Sequence, residues 1–281
     1  MNMIELGREF YKLSGSGNDF VFVDARKQPA GLLATPDVVQ DICKRGTGIA
    51  SDGVVFLEAS TAAAVRLVYI NADGSRADLC GNATLCTARM ALELGIVRGG
   101  KDFTIETDVG ILGARFRDDR PEIDLQGVTE LRPDAGIPLE AGEERMGFAM
   151  AGVPHLVILV EDLDQVDVAG RGRPLRHHES LVAGANVNFV QPAADGAFRY
   201  RTYERGVEAE TLACGTGAVA TAALLTKWGL AITPVRLRAR SGRELTVRFA
   251  GEHGAGKASL SGEARIVFAG RFGEIPGVTG A

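Results

Sequence analysis

Two stretches of this chain share one layout: an apolar strand, a turn, a Cys-Gly pair and then an apolar helix. The first runs from Val68-Tyr69-Ile70-Asn71-Ala72-Asp73-Gly74 to Cys80-Gly81-Asn82-Ala83. The second runs from Thr202-Tyr203-Glu204-Arg205-Gly206 to Cys214-Gly215-Thr216-Gly217. Tyr69 precedes Cys80 by the same interval as Tyr203 precedes Cys214, so the two segments align without a gap. A repeat of this kind points to two similar halves, one built around each Cys-headed helix. It also constrains the chemistry. A cysteine just before a helix meets N–H groups outside the helix ladder and the positive end of the helix dipole. Both stabilise a thiolate and a bound carboxylate. Two such cysteines facing each other across a cleft would form a two-base proton-transfer site.

Around the repeat, strand signals are many and short: residues 20–24, 54–57, 65–70, 103–105, 156–160, 187–190, 198–203, 235–240, 245–249 and 264–268. Helical patterns are fewer. Residues 35–43 offer Thr35 as N-cap and Pro36 as the first helical residue. Residues 82–94 stop at Gly95, and residues 217–228 stop at Gly229. The fold class is therefore α+β, with mixed, mostly antiparallel sheets that each carry one apolar helix. Arg117-Asp118-Asp119-Arg120-Pro121 is polar and turn-like and marks the boundary. The expected domains are residues 1–120 plus a C-terminal tail of about 269–281, carrying Cys80, and residues 121–268, carrying Cys214. Residues 133–142 read as a surface loop.

Composition removes several function classes. The chain has 281 residues, 46% hydrophobic and 24% charged, which is ordinary for a globular protein. A net charge of −5 gives no reason to expect a nucleic-acid or anionic-membrane partner. The longest apolar run, residues 212–232, is broken by Gly215, Gly217, Lys227 and Gly229, which suits a buried central helix rather than a membrane span. No apolar signal core fits the first twenty residues, which carry Glu5, Arg8, Glu9, Lys12 and Asp19, so a cytoplasmic protein is expected. The four cysteines form no Cys-x-x-Cys pair, so no metal site is expected. Cys43 and Cys86 lack the Gly-and-helix context and read as small buried hydrophobes. Of the four histidines, His177-His178 reads as solvated loop.

A longer set of motifs occurs in order: Gly15-Ser16-Gly17-Asn18-Asp19-Phe20, Asn71-Ala72-Asp73-Gly74, Cys80-Gly81-Asn82, Pro154-His155, Asn186-Val187-Asn188-Phe189, Glu204-Arg205-Gly206 and Thr211-Leu212-Ala213-Cys214-Gly215-Thr216-Gly217. Together these resemble the diaminopimelate epimerase family over most of the chain. The resemblance implies two pseudo-symmetric domains, each a sheet or roll wrapped around a central apolar helix. It implies a cofactor-independent epimerase that interconverts LL- and meso-diaminopimelate, a precursor of lysine and peptidoglycan, and a homodimer.

The chemistry fits the residues. Inversion at an α-carbon needs a base on one face and an acid on the other. One thiol must be ionised while the other is protonated, so their titrations are coupled. By resemblance Cys80 and Cys214 are that pair, and His155 and Glu204 adjust their protonation. The backbone around Gly81-Asn82 and Gly215-Thr216 would hold the α-carboxylate, with Asn82 and Thr216 adding side-chain donors. Asn18, Asn71, Asn186, Glu204 and Arg205 complete the substrate contacts by resemblance; the asparagines grip the far amino-acid end and Arg205 pairs with a carboxylate. Read without the resemblance, Glu204-Arg205 is a surface charge pair, the asparagines are turn residues and His155 is a turn histidine.

Three departures from the family pattern stand out. Gly152-Val153-Pro154-His155 has Val where the family has Asn or another small polar residue. One lost hydrogen bond to a charged group costs about 1.5–3 kcal/mol. Ala83-Thr84-Leu85 replaces Gly-Ala-Arg or Gly-Gly-Arg after Asn82, and the loop from Gly206 to Thr211 is longer than the commonest form. Val153 keeps open a racemase for another amino acid, such as histidine or a basic one, on the same scaffold. A carboxylate-binding protein without catalysis, and a thiol-redox protein using Cys80 and Cys214, are the alternatives from other classes.

Overall fold

The computed structural model describes residues 7–251 and 256–275; His253 in the expected second domain, and residues 1–6 and 276–281 of the expected first domain, lie outside them. The described residues divide into two compact units, 7–123 with 263–275, and 124–251 with 256–262.

The first unit contains β1 (Glu9–Gly15), β2 (Asn18–Asp24), α1 (Pro36–Cys43), β3 (Gly53–Glu58), β4 (Val65–Asn71), β5 (Arg76–Ala77), α2 (Gly81–Glu93), β6 (Phe103–Thr107), β7 (Gly110–Arg117) and the start of β8 (Arg120–Leu125). β2 and β3 are parallel, joined through α1; β3 and β4 are antiparallel, as are β4 and β5; β4 and β6 are parallel, joined through α2. A strand near the C-terminus, Arg265–Arg271, pairs antiparallel with the free side of β1. Strand alternation sorts the core into two layers. Val21, Val23, Val54, Phe56, Val68 and Ile70 pack with α1. Phe20, Phe22, Val55, Leu57 and Tyr69 are the alternate residues and are buried on the opposite face. Asp118 and Asp119, both at positive φ, close the β7–β8 hairpin, where short polar residues tolerate the left-handed region.

The second unit contains β9 (Glu130–Arg132), β10 (Glu143–Ala151), β11 (Val153–Val160), α3 (Val168–Arg176), β12 (Asn186–Pro192), β13 (Phe198–Glu204), β14 (Ala209–Thr211), α4 (Gly215–Lys227), β15 (Val235–Arg238), β16 (Glu244–Phe249) and β17 (Ala258–Ser261). Its pairings reproduce the first unit step for step. β11 and β12 are parallel, joined through α3; β12 and β13 are antiparallel, as are β13 and β14; β13 and β15 are parallel, joined through α4. α4 is the buried central helix expected from residues 217–228, with Val219, Leu224 and Leu225 enclosed. Burial of each such side chain stabilises the fold by about 1.5–3 kcal/mol. No helix among the described residues is long and apolar enough to cross a membrane.

The register corrects one sequence expectation. Tyr69 pairs with Val55 and Ala77, whereas Tyr203 pairs with Val187 and Glu210. Counting back from each cysteine, the residue that matches Tyr69 is Thr202, because Tyr69 pairs with Ala77, Thr202 pairs with Thr211, and both partners lie three residues before their cysteine. The second hairpin holds one extra residue, and a one-residue slip turns a side chain to the other face of a sheet. Tyr69 therefore lies away from the α1 layer, while Tyr203 is part of the core that packs on α3.

The helix α3 escaped the sequence reading because Gly170, Gly172 and Pro174 disfavour helix. It forms because Asp167 caps Gly170 N at 2.9 Å and because Val168 and Leu175 are buried in the adjoining core. β10 was missed because its buried residues begin only after Glu143, Glu144 and Arg145 and include Gly147.

Gly147 shows how closely α4 seats on the sheet. A Cβ there would lie 2.6 Å from Leu224 Cδ2 and 2.9 Å from the Arg132 carbonyl oxygen. Gly147→Ala is expected to destabilise the fold by about 1–3 kcal/mol, as overpacking does, read as a lower urea midpoint at unchanged slope.

Candidate active site

Each candidate cysteine is the N-cap of its helix, and the two backbones match closely. Cys80 has φ −133° and ψ 114°; Cys214 has φ −133° and ψ 112°. The first ladder bonds run from Thr84 N to Cys80 O and from Ala218 N to Cys214 O, both 2.9 Å. The amides of Gly81, Asn82 and Ala83, and of Gly215, Thr216 and Gly217, thus precede the ladder and face outward along the dipole. Such a helix start is a receptor for a thiolate or a carboxylate.

The two thiols differ in surroundings. Cys214 is buried, and its Sγ accepts a hydrogen bond from Gly217 N at 3.4 Å, with Thr216 Oγ1 at 3.6 Å. Tyr200 anchors its backbone: the hydroxyl donates to Cys214 O at 3.1 Å and accepts from Cys214 N at 3.4 Å. Burial raises the Tyr200 pKa far above its ordinary value, so this hydroxyl stays neutral. Cys80 is half-buried, and its side chain makes no capping hydrogen bond.

At the Cys80 helix, Asn82 Nδ2 donates to Asn18 Oδ1 at 2.6 Å, and Asn18 Nδ2 donates to Asp52 Oδ2 at 2.9 Å. Asp52 ties this corner together. Its carboxylate also accepts from Asp19 N, and its carbonyl accepts from Ala72 N and the Tyr69 hydroxyl. Lys12, buried on β1, pairs with Asp19 at 2.6 Å. Part of the Asn82 amide thus binds Asn18, where the sequence suggested a donor for a substrate carboxylate. Asn71 closes the β4–β5 turn through Nδ2 to Ser75 Oγ at 3.0 Å. Asp52 and Lys12 were missed from sequence, since a lone Asp before a Gly reads as a turn.

In the second unit, parallel pairing sets His155 opposite Asn186. Asn186 Oδ1 accepts from Arg205 N at 2.7 Å, and Arg205 Nη1 donates to the Ala183 carbonyl at 3.2 Å. Glu204 ends β13, paired with Ala209. His155 is fully buried; burial first, and the Arg205 charge second, lower its pKa to about 3. Desolvation disfavours the imidazolium, so His155 is neutral across the physiological range. A turn histidine was one reading of the sequence; the structure places His155 inside β11 instead. Asn188, quoted in the motif but assigned no role, joins this group: Nδ2 lies 3.2 Å from His155 Nδ1 and Oδ1 accepts from Thr202 Oγ1 at 2.8 Å. The signal in the sequence was a polar residue repeated at alternate positions of an otherwise apolar strand.

Val153 opens β11 as Asn18 opens β2, and the pairing register makes the two positions equivalent. Asn18 bridges two polar side chains; Val153 supplies no such bridge. Cys43 and Cys86 are buried, as expected, and burial pushes the Cys43 pKa up to about 11 and that of Cys86 well above the usual thiol range. His177 is exposed and lies 3.6 Å from Glu208, in keeping with a solvated position.

Comparison with known proteins accords with these features. The sequence profile described as Diaminopimelate epimerase matches residues 10–129 and 147–267. Diaminopimelate epimerase of Gemmatimonas aurantiaca is 49% identical over 280 residues, covering 96% of this chain and 99% of that protein. The enzyme of the same name from Aquifex aeolicus is 38% identical, covering 95% and 98%. Among solved structures, a PhzF-family phenazine biosynthesis protein of Bacillus anthracis aligns with a TM-score of 0.73 at 16% identity, covering 94% of this chain and 98% of that one. A hydroxyproline epimerase from Agrobacterium vitis aligns with a TM-score of 0.64 at 18% identity, covering 98% and 95%. These two likenesses concern the fold alone; the profile match and the curated relatives place the chain in the diaminopimelate epimerase family.

Proposed function

We propose that this chain is a diaminopimelate epimerase in which Cys80 and Cys214 serve as the paired acid and base. The observation that carries the reading is the duplicated helix start: two cysteines at one backbone geometry, each heading a helix with three amides outside its ladder, in a chain that belongs to this family.

One thiolate takes the α-proton, becoming a thiol, and leaves a carbanion whose charge spreads onto the α-carboxylate. The other thiol gives its proton to the opposite face and becomes the thiolate. The product is the inverted α-carbon, and the two sulfurs have exchanged protonation states. Backbone amides at Gly81-Asn82 and Gly215-Thr216 stabilise the carboxylate charge as it grows, which lowers the barrier because the donors are already oriented. Asn18, Asn71, Asn186, Glu204 and Arg205 hold the substrate; His155, neutral and buried, and Glu204 set the environment of the thiols. The reaction runs on the side chains themselves, without a cofactor.

The homodimer reading has support of its own. The returning strand Arg265–Arg271 pairs with β1 and exposes Val267 and Phe268. Adjacent exposed apolar side chains on a strand invite a second copy. Sedimentation equilibrium is expected to give twice the chain mass, and Phe268→Glu to lower it toward the monomer; a monomeric wild type would remove this reading.

Cys80→Ala and Cys214→Ala are each expected to reduce epimerisation by about 10²–10⁴-fold, the usual contribution of a positioned acid or base. Formation of the meso isomer from the LL isomer, followed by chiral chromatography, measures it. A single variant at the wild-type rate would overturn the two-thiol assignment.

A further inference from the structure

The shared register makes the interiors of the two units comparable residue by residue. Phe20 in β2 corresponds to His155 in β11, since Phe22 pairs with Val55 and Val157 pairs with Asn188. Val55 in β3 corresponds to Asn188 in β12, and Tyr69 in β4 to Thr202 in β13. Beneath the Cys80 helix these positions hold an apolar and aromatic stack, with Phe20 and Tyr69 edge to face at 5.6 Å. Beneath the Cys214 helix they hold His155, Asn188 and Thr202, all buried and hydrogen-bonded in a row. The scaffold does not need this polar row, because in the other half the same positions hold Phe20, Val55 and a tyrosine whose hydroxyl reaches out to the Asp52 carbonyl. Buried polar groups are costly unless satisfied, so a row of three at one thiol only calls for a specific purpose.

We propose that Asn188 is a positioning residue that fixes His155 as a neutral Nε2–H donor, and that Gly217 is the small residue that leaves room for it. The proposal rests on the reading of Cys214 as a catalytic thiol. Its logic is a chain of obligatory donors and acceptors. The Leu156 carbonyl can only accept, and Asn188 Nδ2 lies 2.9 Å from it. That contact assigns the amide nitrogen to this side and the amide oxygen to Thr202, whose hydroxyl donates to Oδ1. The second hydrogen on Nδ2 then points to His155 Nδ1, which must accept it. A neutral imidazole with Nδ1 accepting carries its proton on Nε2. Nε2 is buried and has no hydrogen-bond partner among the described residues. The imidazole is thus a preset donor whose missing acceptor is an anion of the reacting state, a carboxylate or a thiolate.

Gly217 belongs to the same device. A Cβ on it would lie 2.4 Å from Asn188 Oδ1, and its N–H donates to Cys214 Sγ. The equivalent position in the first unit is Ala83, at the same offset from Cys80, where the matching strand residue is Val55 rather than an asparagine. One amide side chain therefore touches both the histidine and the helix turn that caps the thiol.

The test is spectroscopic first. Long-range proton–nitrogen correlation on 15N-histidine-labelled full-length protein, with the His155 signals assigned by their loss in His155→Gln, reads the tautomer without substrate. Wild type is expected to show neutral His155 with the proton on Nε2 at neutral pH. Asn188→Asp removes the donor to Nδ1 and is expected to move a proton there. On diaminopimelate, Asn188→Asp should lower kcat by about tenfold or more, a fraction of an acid–base contribution, with KM within about twofold. Thr202→Ser should preserve tautomer and rate; Thr202→Val and Gly217→Ala should disturb both, and they carry the test if Asn188→Asp does not fold. An Nδ1–H or cationic His155 in wild type, or variants that keep tautomer and kcat, would overturn the proposal. Wild-type turnover of diaminopimelate is read separately, so loss of the epimerase reading would be distinguishable from loss of this one.

Discussion

The helix start that each cysteine heads is the feature on which the rest depends. A thiol at an N-cap is close to amides that the helix cannot satisfy, and the same amides suit the carboxylate of an amino acid. Setting a cysteine there requires a strand that delivers the chain in extended geometry and a helix that begins at once. Both units achieve this with one arrangement: two parallel strands, an antiparallel partner, a hairpin and a buried helix leading to a further parallel strand. Closely matched φ and ψ at Cys80 and Cys214 are the local result.

The same skeleton is filled differently. Around the Cys80 helix the polar work is done at the strand ends, where Asn18, Asp52 and Asn82 bond to one another. Around the Cys214 helix it is done inside the sheet, by Tyr200, Thr202, Asn188 and His155. Similar backbones thus give their thiols different exposure, and the Cys214 side chain alone caps its helix. On the proposed two-thiol reading, such inequality favours one thiolate and one thiol over a charge divided between identical sites.

Much of this was legible in the sequence. The Cys-Gly repeat disclosed the two helices and both thiols, since a helix start has a recognisable order of residues and the apolar face follows directly. Central strands rich in Val, Ile and Phe were equally plain. What the sequence hid was register. Tyr69 and Tyr203 stand at equal distance from their cysteines yet lie on opposite faces, because one extra residue in the second hairpin is invisible until the pairing is known. Asn188 was hidden for a related reason: its partners, Leu156, His155 and Thr202, are remote in sequence and meet only through strand pairing. Asp52 likewise acquires its role only when its loop meets Asn18 and the Asn71 turn. Val153 was noted as a departure, and the fold shows that it takes the place that Asn18 has in the other unit.

On the proposed reading, these two helix starts invert the α-carbon of diaminopimelate. The most direct measurement is proton-to-deuteron exchange at that carbon in deuterated water, with reduced protein and LL-diaminopimelate, followed by proton NMR beside parallel samples of lysine, histidine and glutamate. Loss of the α-proton signal together with appearance of the meso isomer is expected for diaminopimelate alone. Exchange with another of these amino acids but not with diaminopimelate, or with none of them, would contradict it.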